Sequence, residues 1–325
     1  MSKTSYPTSF LITGGTAGLG YQTAISLARQ CPKSLIIIAS RADPGKAATR
    51  INAKLKQQNV MYMPLDLSSL ATVRTFAKSF LEANLPPISA LVLNAGIQLP
   101  GGIEYTTDGI EKHFAINHVA HALLFHLLLP HLTADARILV VASGVHDPVQ
   151  AKPFGMMPAY TTPAAVAAPN EQAIKASNGR DRYCTSKAAN VIWARALGQR
   201  MSGHPSHAGK TVLAFDPGLM FGTSFTRNAH PFLRFLNAYI APWTTRLMRF
   251  FVNDNINSPA ESGGNLAWLV VGKELGGKKG VYCEKRKERE SSVQSRDEGV
   301  QNELWEWTVE RVAENEEEKM RFQEL

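Results

Sequence analysis

The chain has 325 residues, is 44% hydrophobic and carries a net charge of +8. That length and composition allow a sizeable core, in one large α/β domain or two small ones. No apolar run reaches the roughly eighteen residues of a membrane-spanning helix. The N-terminal MSKTSYPTSFLITGG lacks the apolar region of a signal peptide, because Gly14 and Gly15 interrupt it. Cys31, Cys184 and Cys283 are widely spaced and form neither a metal motif nor a disulfide framework, so an intracellular, cytoplasmic setting is expected. The densest basic cluster, EKRKERE at 284–290, is mixed in sign. It reads as a solvated loop, and no nucleic-acid partner is expected. An anionic cofactor, or attraction to an acidic membrane surface, is compatible with the net charge.

Short apolar runs alternate with longer amphipathic segments. Residues 9–13, 34–40, 60–66, 90–94, 136–143 and 211–218 read as strands, nearly continuous in apolar character, as in a parallel sheet covered on both faces. Helical patterns lie between them at 19–30, 43–58, 69–82, 108–131 and 181–202. Next comes SPAESGGNLAWLVV, a helix capped by Ser258 with Pro259 at its first position, then a seventh strand, GVYCE. The end reads as an amphipathic helix running into a frayed acidic tail. This alternation predicts an α/β doubly wound parallel sheet of about seven strands, with helices on both faces and a C-terminal helix. The expected organisation is one dinucleotide-binding domain over 1–325, with substrate-side insertions at 144–180 and 219–257 and a C-terminal helical extension at 285–325.

LITGGTAGLG ends the first strand and opens the first helix. Gly14, Gly18 and Gly20 let backbone N–H groups and a helix N-terminus approach a pyrophosphate, with Thr16 and Leu19 in the same turn. At the end of the second strand, IIIASRAD places Arg41 where an acidic residue would select NAD. An arginine there favours the 2′-phosphate, so the expected cofactor is NADP(H). Asp43 reads as a helix N-cap.

With these features the chain resembles the short-chain dehydrogenase/reductase family over about residues 8–285. The landmarks appear in the family's order: TGGTAGLG, LDL with Asp66, NAG at 94–96, Asn117 in the fourth helix, Ser143 ending the fifth strand, YCTSK, and DPG at 216–218. The branch it resembles holds the light-dependent protochlorophyllide reductases and the retinol-dehydrogenase-like enzymes. NAG, and Ala189 where the light-driven enzymes carry a cysteine, both point away from a light-driven reaction. The resemblance implies a Rossmann-type fold. It also implies cofactor contacts from Asp66 and Leu67 at the adenine side, Asn94 and Gly96 at the fourth strand's end, and Pro217, Gly218 and Thr223 near the nicotinamide.

Tyr183 and Lys187 lie four positions apart, on one helix face. Free tyrosine has a pKa of roughly 10, and a nearby ammonium stabilises the phenolate; lowering it to about 7 takes roughly 4 kcal/mol. Tyr183 is thus the expected proton donor to a developing alkoxide and Lys187 its tuner, which by resemblance also holds the nicotinamide ribose. Ser143 is expected to polarise the substrate carbonyl. Asn117 is expected, by resemblance, to fix a water linking Lys187 to solvent. His146 lies three residues after Ser143 and is a candidate for the substrate pocket. His113, His118, His121, His126 and His131 lack the cysteines or carboxylates of a metal set, so no metal is expected.

Both insertions follow strand ends and should build the substrate pocket. Phe232, Phe235, Leu236, Tyr239 and Ile240 share a helical face, as do Trp243, Leu247, Phe250 and Phe251, with Arg234, Arg246 and Arg249 nearby. Residues 231–252 therefore read either as a lid or as a peripheral membrane contact, and both favour a bulky hydrophobic ketone, aldehyde or alcohol. The resemblance also implies a homo-oligomer. A catalytically silent cofactor-binding protein and a photoreductase are the alternatives.

Overall fold

The structure is a computed structural model that describes residues 6–220 and 255–325. Among the described residues, eight strands form one sheet in the order β10-β9-β6-β5-β4-β1-β2-β3. They are β1 (Ser9–Thr13), β2 (Leu35–Ser40), β3 (Val60–Pro64), β4 (Ile88–Leu93), β5 (Leu132–Val141), β6 (Thr211–Asp216), β9 (Lys279–Glu284) and β10 (Lys287–Arg289). Two short strands, β7 (Leu219–Met220) and β8 (Ile256–Asn257), pair separately, Leu219 opposite Ile256. All pairs in the large sheet are parallel except β9–β10. Parallel pairing sends each chain reversal through a helix, so α1 (Gly18–Gln30), α2 (Ala47–Leu55) and α3 (Leu70–Glu82) follow β1, β2 and β3.

The apolar strands supply both faces, because successive side chains alternate. Leu11, Ile37, Leu91 and Ile138 face a layer built from α3, α5 (Ala120–Leu128), α9 (Gly179–Gly203) and the Glu298–Val312 helix. Ile12, Ile38, Val92 and Leu139 face α1, α2 and the Pro259–Val271 helix. Ser258 caps that last helix as expected, in a capping box with Glu261 and with Pro259 at the first position.

Several elements differ from expectation. The segment 284–290 is not wholly loop: Lys287–Arg289 adds an exposed, charged antiparallel strand, an edge that resists pairing with other chains. β5 starts at Leu132 rather than 136. The segment read as a helix over 108–131 is broken into α4 (Lys112–Phe114), a π-helical turn (Ala115–Val119), α5 and a 3₁₀ turn (Leu129–His131). Asp108 is held outside it, accepting from the Leu70 amide at 3.1 Å, and a bridge from Tyr105 to Glu111 keeps the approach extended. The 144–180 stretch carries short helices, α6 (Pro148–Ala151), α7 (Pro163–Ala167) and α8 (Glu171–Ala176). Asp43 accepts the Ala47 amide at 2.8 Å, but Lys46 occupies the cap position of α2 in a left-handed conformation.

The acidic tail is not frayed. Asn315 caps a further helix, Glu316–Gln323, whose Phe322 is only 1% exposed. Phe322 stacks on His126 at 4.3 Å, and His126 meets Trp305 at 5.3 Å. Burial drives the His126 imidazole down to about 3, so it stays neutral in this aromatic stack. Arg74 grips both oxygens of Glu318, at 3.0 and 2.6 Å, fixing the tail to α3. Among the described residues no helix is long and apolar enough to cross a membrane. Residues 231–252, read as a lid or a membrane contact, and Thr223, expected near the nicotinamide, lie outside the described residues. Phe322→Ala is expected to lower the unfolding free energy by about 3 kcal/mol, and Met320→Ala, on an exposed position, by less than about 0.5 kcal/mol. Equal urea midpoints for the two variants would disprove the docking of this helix.

Candidate active site

The parallel strands bring the ends of β1, β2, β4, β5 and β6 to one edge of the sheet. At the β1 end, Gly20 packs so tightly that an added Cβ would lie 2.5 Å from the Gly14 carbonyl oxygen and 2.6 Å from the Asn94 amide nitrogen. Only glycine lets α1 start there. Its cap position, Ala17, offers no side-chain cap, and its first turn holds no acidic residue. The first amides of α1 are therefore left for an anion, the electrostatics a pyrophosphate requires. Thr16 is partly exposed in this loop, whereas Leu19 is buried under it.

Asn94 braces the loop from behind. Its side-chain nitrogen donates to the Thr13 carbonyl at 2.7 Å, and the Asn94 and Ala95 amides donate to the Thr13 hydroxyl at 2.8 and 2.9 Å. That hydroxyl meets His121 at 2.9 Å, and the other ring nitrogen of His121 meets the Asn117 carbonyl at 3.1 Å. Arg41 is exposed at the end of β2. Asp66 accepts the Ser68 amide at 2.9 Å, and Leu67 is buried in the core.

Asn117 sits in the π-helical turn, a distortion common at functional sites. Its side-chain oxygen accepts the Ile97 amide at 2.8 Å, while its nitrogen donates to the Ile97 carbonyl at 3.1 Å and the Ser186 hydroxyl at 2.9 Å. It thus clamps the 94–97 loop to α9. A Cβ on Gly96 would lie 3.2 Å from the Asn117 oxygen and 3.6 Å from the Lys187 nitrogen, so these three positions meet.

α9 begins with a capping box between Asn178 and Asp181, which places Tyr183 and Lys187 within its first three turns. Lys187 is buried and donates to the Val141 carbonyl at 2.8 Å. Its nitrogen lies 5.8 Å from the centre of the Tyr183 ring. The Tyr183 side chain hydrogen-bonds to Ser143. Burial lowers Lys187 to about 8, and the Asp216 carboxylate opposes that shift. Burial raises Tyr183, with Cys184 and Asp216 adding to the rise and the Ser143 hydrogen bond opposing it. In this arrangement burial dominates the shift of Tyr183. The ammonium donates to a backbone carbonyl and lies 5.8 Å from the ring centre.

His146 does not reach toward a substrate. It is 1% exposed; its Nδ1 lies 2.8 Å from the Ser143 carbonyl, its Nε2 accepts the Ser292 amide at 3.1 Å, and its ring packs on Tyr282 at 4.7 Å. Both nitrogens are used in holding the 143–146 turn. The other buried histidines are also structural: His113 pairs with Glu111 at 2.7 Å and His118 with Thr308 at 3.1 Å. Among the described residues no three candidate metal-ligating side chains converge.

Pro217 is buried, with its carbonyl accepting from Asn257 at 3.1 Å and Ser262 at 2.6 Å. Gly218 follows, its amide donating to Asp216 at 3.0 Å. Three contributors escaped the sequence reading: His121, Ser186 and Asp216. The last had a visible signal, a lone charge ending the apolar strand TVLAFD. Gly20→Ala is expected to destabilise the fold by about 1–3 kcal/mol through this backbone clash; an unchanged thermal midpoint would contradict the packing described.

A family model described as short chain dehydrogenase matches residues 8–168, and one described as AcuH dehydrogenase domain matches residues 223–320. The chain is 34% identical over 212 residues to retinol dehydrogenase 12 of Bos taurus, covering 65% of this chain and 60% of that protein. It is 30% identical over 307 residues to polyprenol dehydrogenase of Mus musculus, covering 91% and 81%. The chain thus spans about three-fifths of the length of the first of these relatives. Among solved structures, an NADPH-bound short chain oxidoreductase from Pseudomonas aeruginosa PAO1 superposes with a TM-score of 0.61 at 17% identity, covering 86% of this chain and 96% of that one.

Proposed function

The chain belongs to the short-chain dehydrogenase/reductase family of oxidoreductases, in its retinol-dehydrogenase-like branch, and we propose that it uses NADP(H) to interconvert a carbonyl and an alcohol on a bulky lipophilic substrate. The observation that carries the reading is the meeting of Ser143, Tyr183 and Lys187 at the ends of β5 and α9, with Asn117 and Gly96 against them and the glycine loop at the same sheet edge. We place the whole chain in one Rossmann domain, with 144–180 and 219–257 on the substrate side and 285–325 as a helical extension.

The residues present suit a nicotinamide dinucleotide. The uncapped first turn of α1 suits its pyrophosphate, with Thr16 and Leu19 alongside. Arg41, exposed at the second strand's end, suits a 2′-phosphate by bidentate hydrogen bonding. Asp66 and Leu67 would contact the adenine side, Asn94 and Gly96 would border the cofactor at the fourth strand's end, and Pro217 and Gly218 would lie beside the nicotinamide, with Thr223, outside the described residues, proposed for the same end. The bound cofactor supplies the hydride. Ser143 polarises the carbonyl oxygen, and Tyr183 delivers its phenolic proton as the alkoxide forms. The raised pKa of Tyr183 keeps that proton in place until negative charge develops. Lys187 holds the ribose and adds positive charge beneath the phenol, with Asn117 fixing the loop and a water beside it.

The lipophilic substrate class rests on the apolar pattern of 231–252 and on relatives whose names specify retinol and polyprenol. The same segment would provide contact with a membrane surface, and we propose a peripheral, intracellular location. A homo-oligomer is proposed by family likeness alone.

Turnover is tested by following nicotinamide absorbance with a panel of hydrophobic aldehydes and ketones. Tyr183→Phe is expected to abolish NADPH oxidation while NADPH binding persists; wild-type turnover by that variant would remove Tyr183 as proton donor. Arg41→Asp is expected to shift the NADPH-to-NADH efficiency ratio toward NADH by about tenfold or more, the scale of one lost charge-assisted pair. An unchanged ratio would exclude Arg41 from cofactor selection.

A further inference from the structure

Behind the Tyr183–Lys187 pair lies a charged group that the family reading assigns no task. Asp216 ends β6, is 3% exposed, and stands beside the turn that carries Ser143. An added Cβ on Gly144 would lie 3.1 Å from its Oδ2. Its Oδ1 accepts the Gly218 amide at 3.0 Å and its Oδ2 accepts from the Asn255 side chain at 2.8 Å. Asn255 in turn accepts from Asn257 at 2.9 Å, and Asn257 and Ser262 both donate to the Pro217 carbonyl. The carboxylate is thus the centre of a polar clamp joining β6, β8 and the Pro259–Val271 helix. A Cβ on Gly218 would lie 2.2 Å from the Asn255 carbonyl oxygen, which fixes how closely the 216–218 turn approaches β8.

We propose that Asp216 is a positioning residue of the Ser143–Tyr183–Lys187 site, a buried carboxylate that supplies the counter-charge of Lys187 and locks the turn bearing Pro217 and Gly218. The proposal rests on the catalytic reading above for its consequence, but not for its physics. A buried ammonium needs a nearby negative charge more than an exposed one does, because water no longer offsets the cost of the charge. Lys187 donates to the Val141 carbonyl at 2.8 Å, and Val141 pairs with Phe215, the residue before Asp216; Phe215 faces the α1 side, so alternation turns Asp216 to the face that α9 covers, where its charge acts on Lys187. The groups that face Asp216 are the Tyr183 and Lys187 side chains of α9, Tyr282 and Glu284 of β9, the Gly144 amide after β5, and Asn255 before β8. Burial and the like charge of Glu284 raise Asp216 to about 6, opposed by the Gly218 and Gly144 amides. Above that pH the carboxylate is ionised, raising the pKa of Lys187 and Tyr183 together. Removing the charge therefore lowers both, leaving Lys187 less protonated at a given pH and the Tyr183 phenolate easier to form.

The titrations are read on the chain without cofactor or substrate, so they stand or fail independently of whether Tyr183 proves to be the proton donor. With lysine carbons labelled for NMR, the Lys187 midpoint is expected to fall by about half a pH unit or more in Asp216→Asn, the scale of losing one partly screened neighbouring charge. Ser262→Ala, which removes a donor from the same clamp and leaves the charge, is expected to leave that midpoint in place. An unchanged Lys187 midpoint in Asp216→Asn, or an equal fall in Ser262→Ala, would overturn the proposal. Should Asp216→Asn fail to fold, the wild-type chain with labelled aspartate carboxyls decides. Lys187 is expected to respond as Asp216 titrates near pH 6, and the absence of any response there would sink the counter-charge role. In turnover, the alkaline limb of kcat should move to lower pH in Asp216→Asn; an unmoved limb would overturn the counter-charge role.

Discussion

The hydrogen bond from the Lys187 ammonium to the Val141 carbonyl is the contact on which the rest of the site depends. It joins the long helix α9 to the end of β5 through a fully desolvated charge, an expensive arrangement unless geometry and neighbours are favourable. Once it is made, the helix cannot rotate. Tyr183, one turn earlier, then lies beside Ser143, and Asn190, nearly one turn later, donates to the same carbonyl at 3.2 Å. Everything else at the sheet edge serves to keep the two ends of this bond still.

Two polar networks do so from opposite sides. On the β1 side, Thr13, His121 and Asn117 run in series from the glycine loop to the 94–97 loop and on to Ser186 of α9. His121 is held neutral by burial, down to about 4, so it adds no positive charge next to Lys187 at ordinary pH. On the β6 side the Asp216 clamp ties the strand end to β8 and the Pro259–Val271 helix. Buried networks of this kind are stable only when their members are satisfied, and a satisfied network has one geometry. Rigidity at the reacting atoms thus follows from polar groups placed well away from them.

Much of this was legible in the residues. Strand identity followed from unbroken runs such as LIIIAS and VLAF, because a strand buried on both faces has no polar alternation to obscure it. The Ser258–Pro259–Glu261 start of a helix was equally plain, since capping is local chemistry. What escaped was non-local. Nothing near Phe322 in sequence says that it will stack on His126, nor that Arg74 awaits Glu318, so the acidic tail looked unstructured. The π-helical turn at Asn117 is set by contacts with Ile97 and Ser186, which no helical periodicity encodes. His146 misled for the same reason: closeness to Ser143 along the chain says nothing of which way a ring turns. The charge behaviour of Tyr183 also needed three dimensions. Spacing places the ammonium on its helix face but does not say how deeply the phenol is buried.

The tail has a consequence for how the chain comes to be folded. Trp193, Phe125 and His126 lie on a continuous aromatic surface that is finished only by Trp305 and Phe322. During synthesis from the N-terminus, that surface is complete more than a hundred residues before its cover emerges from the ribosome. For that interval the nascent chain displays a broad apolar face, with Arg74 unpaired beside it, the kind of surface that holds chaperones or collects neighbouring chains. Strands β1 to β6 can pair early, but the layer that carries α9, and with it Tyr183 and Lys187, is covered only when Trp305 and Phe322 arrive.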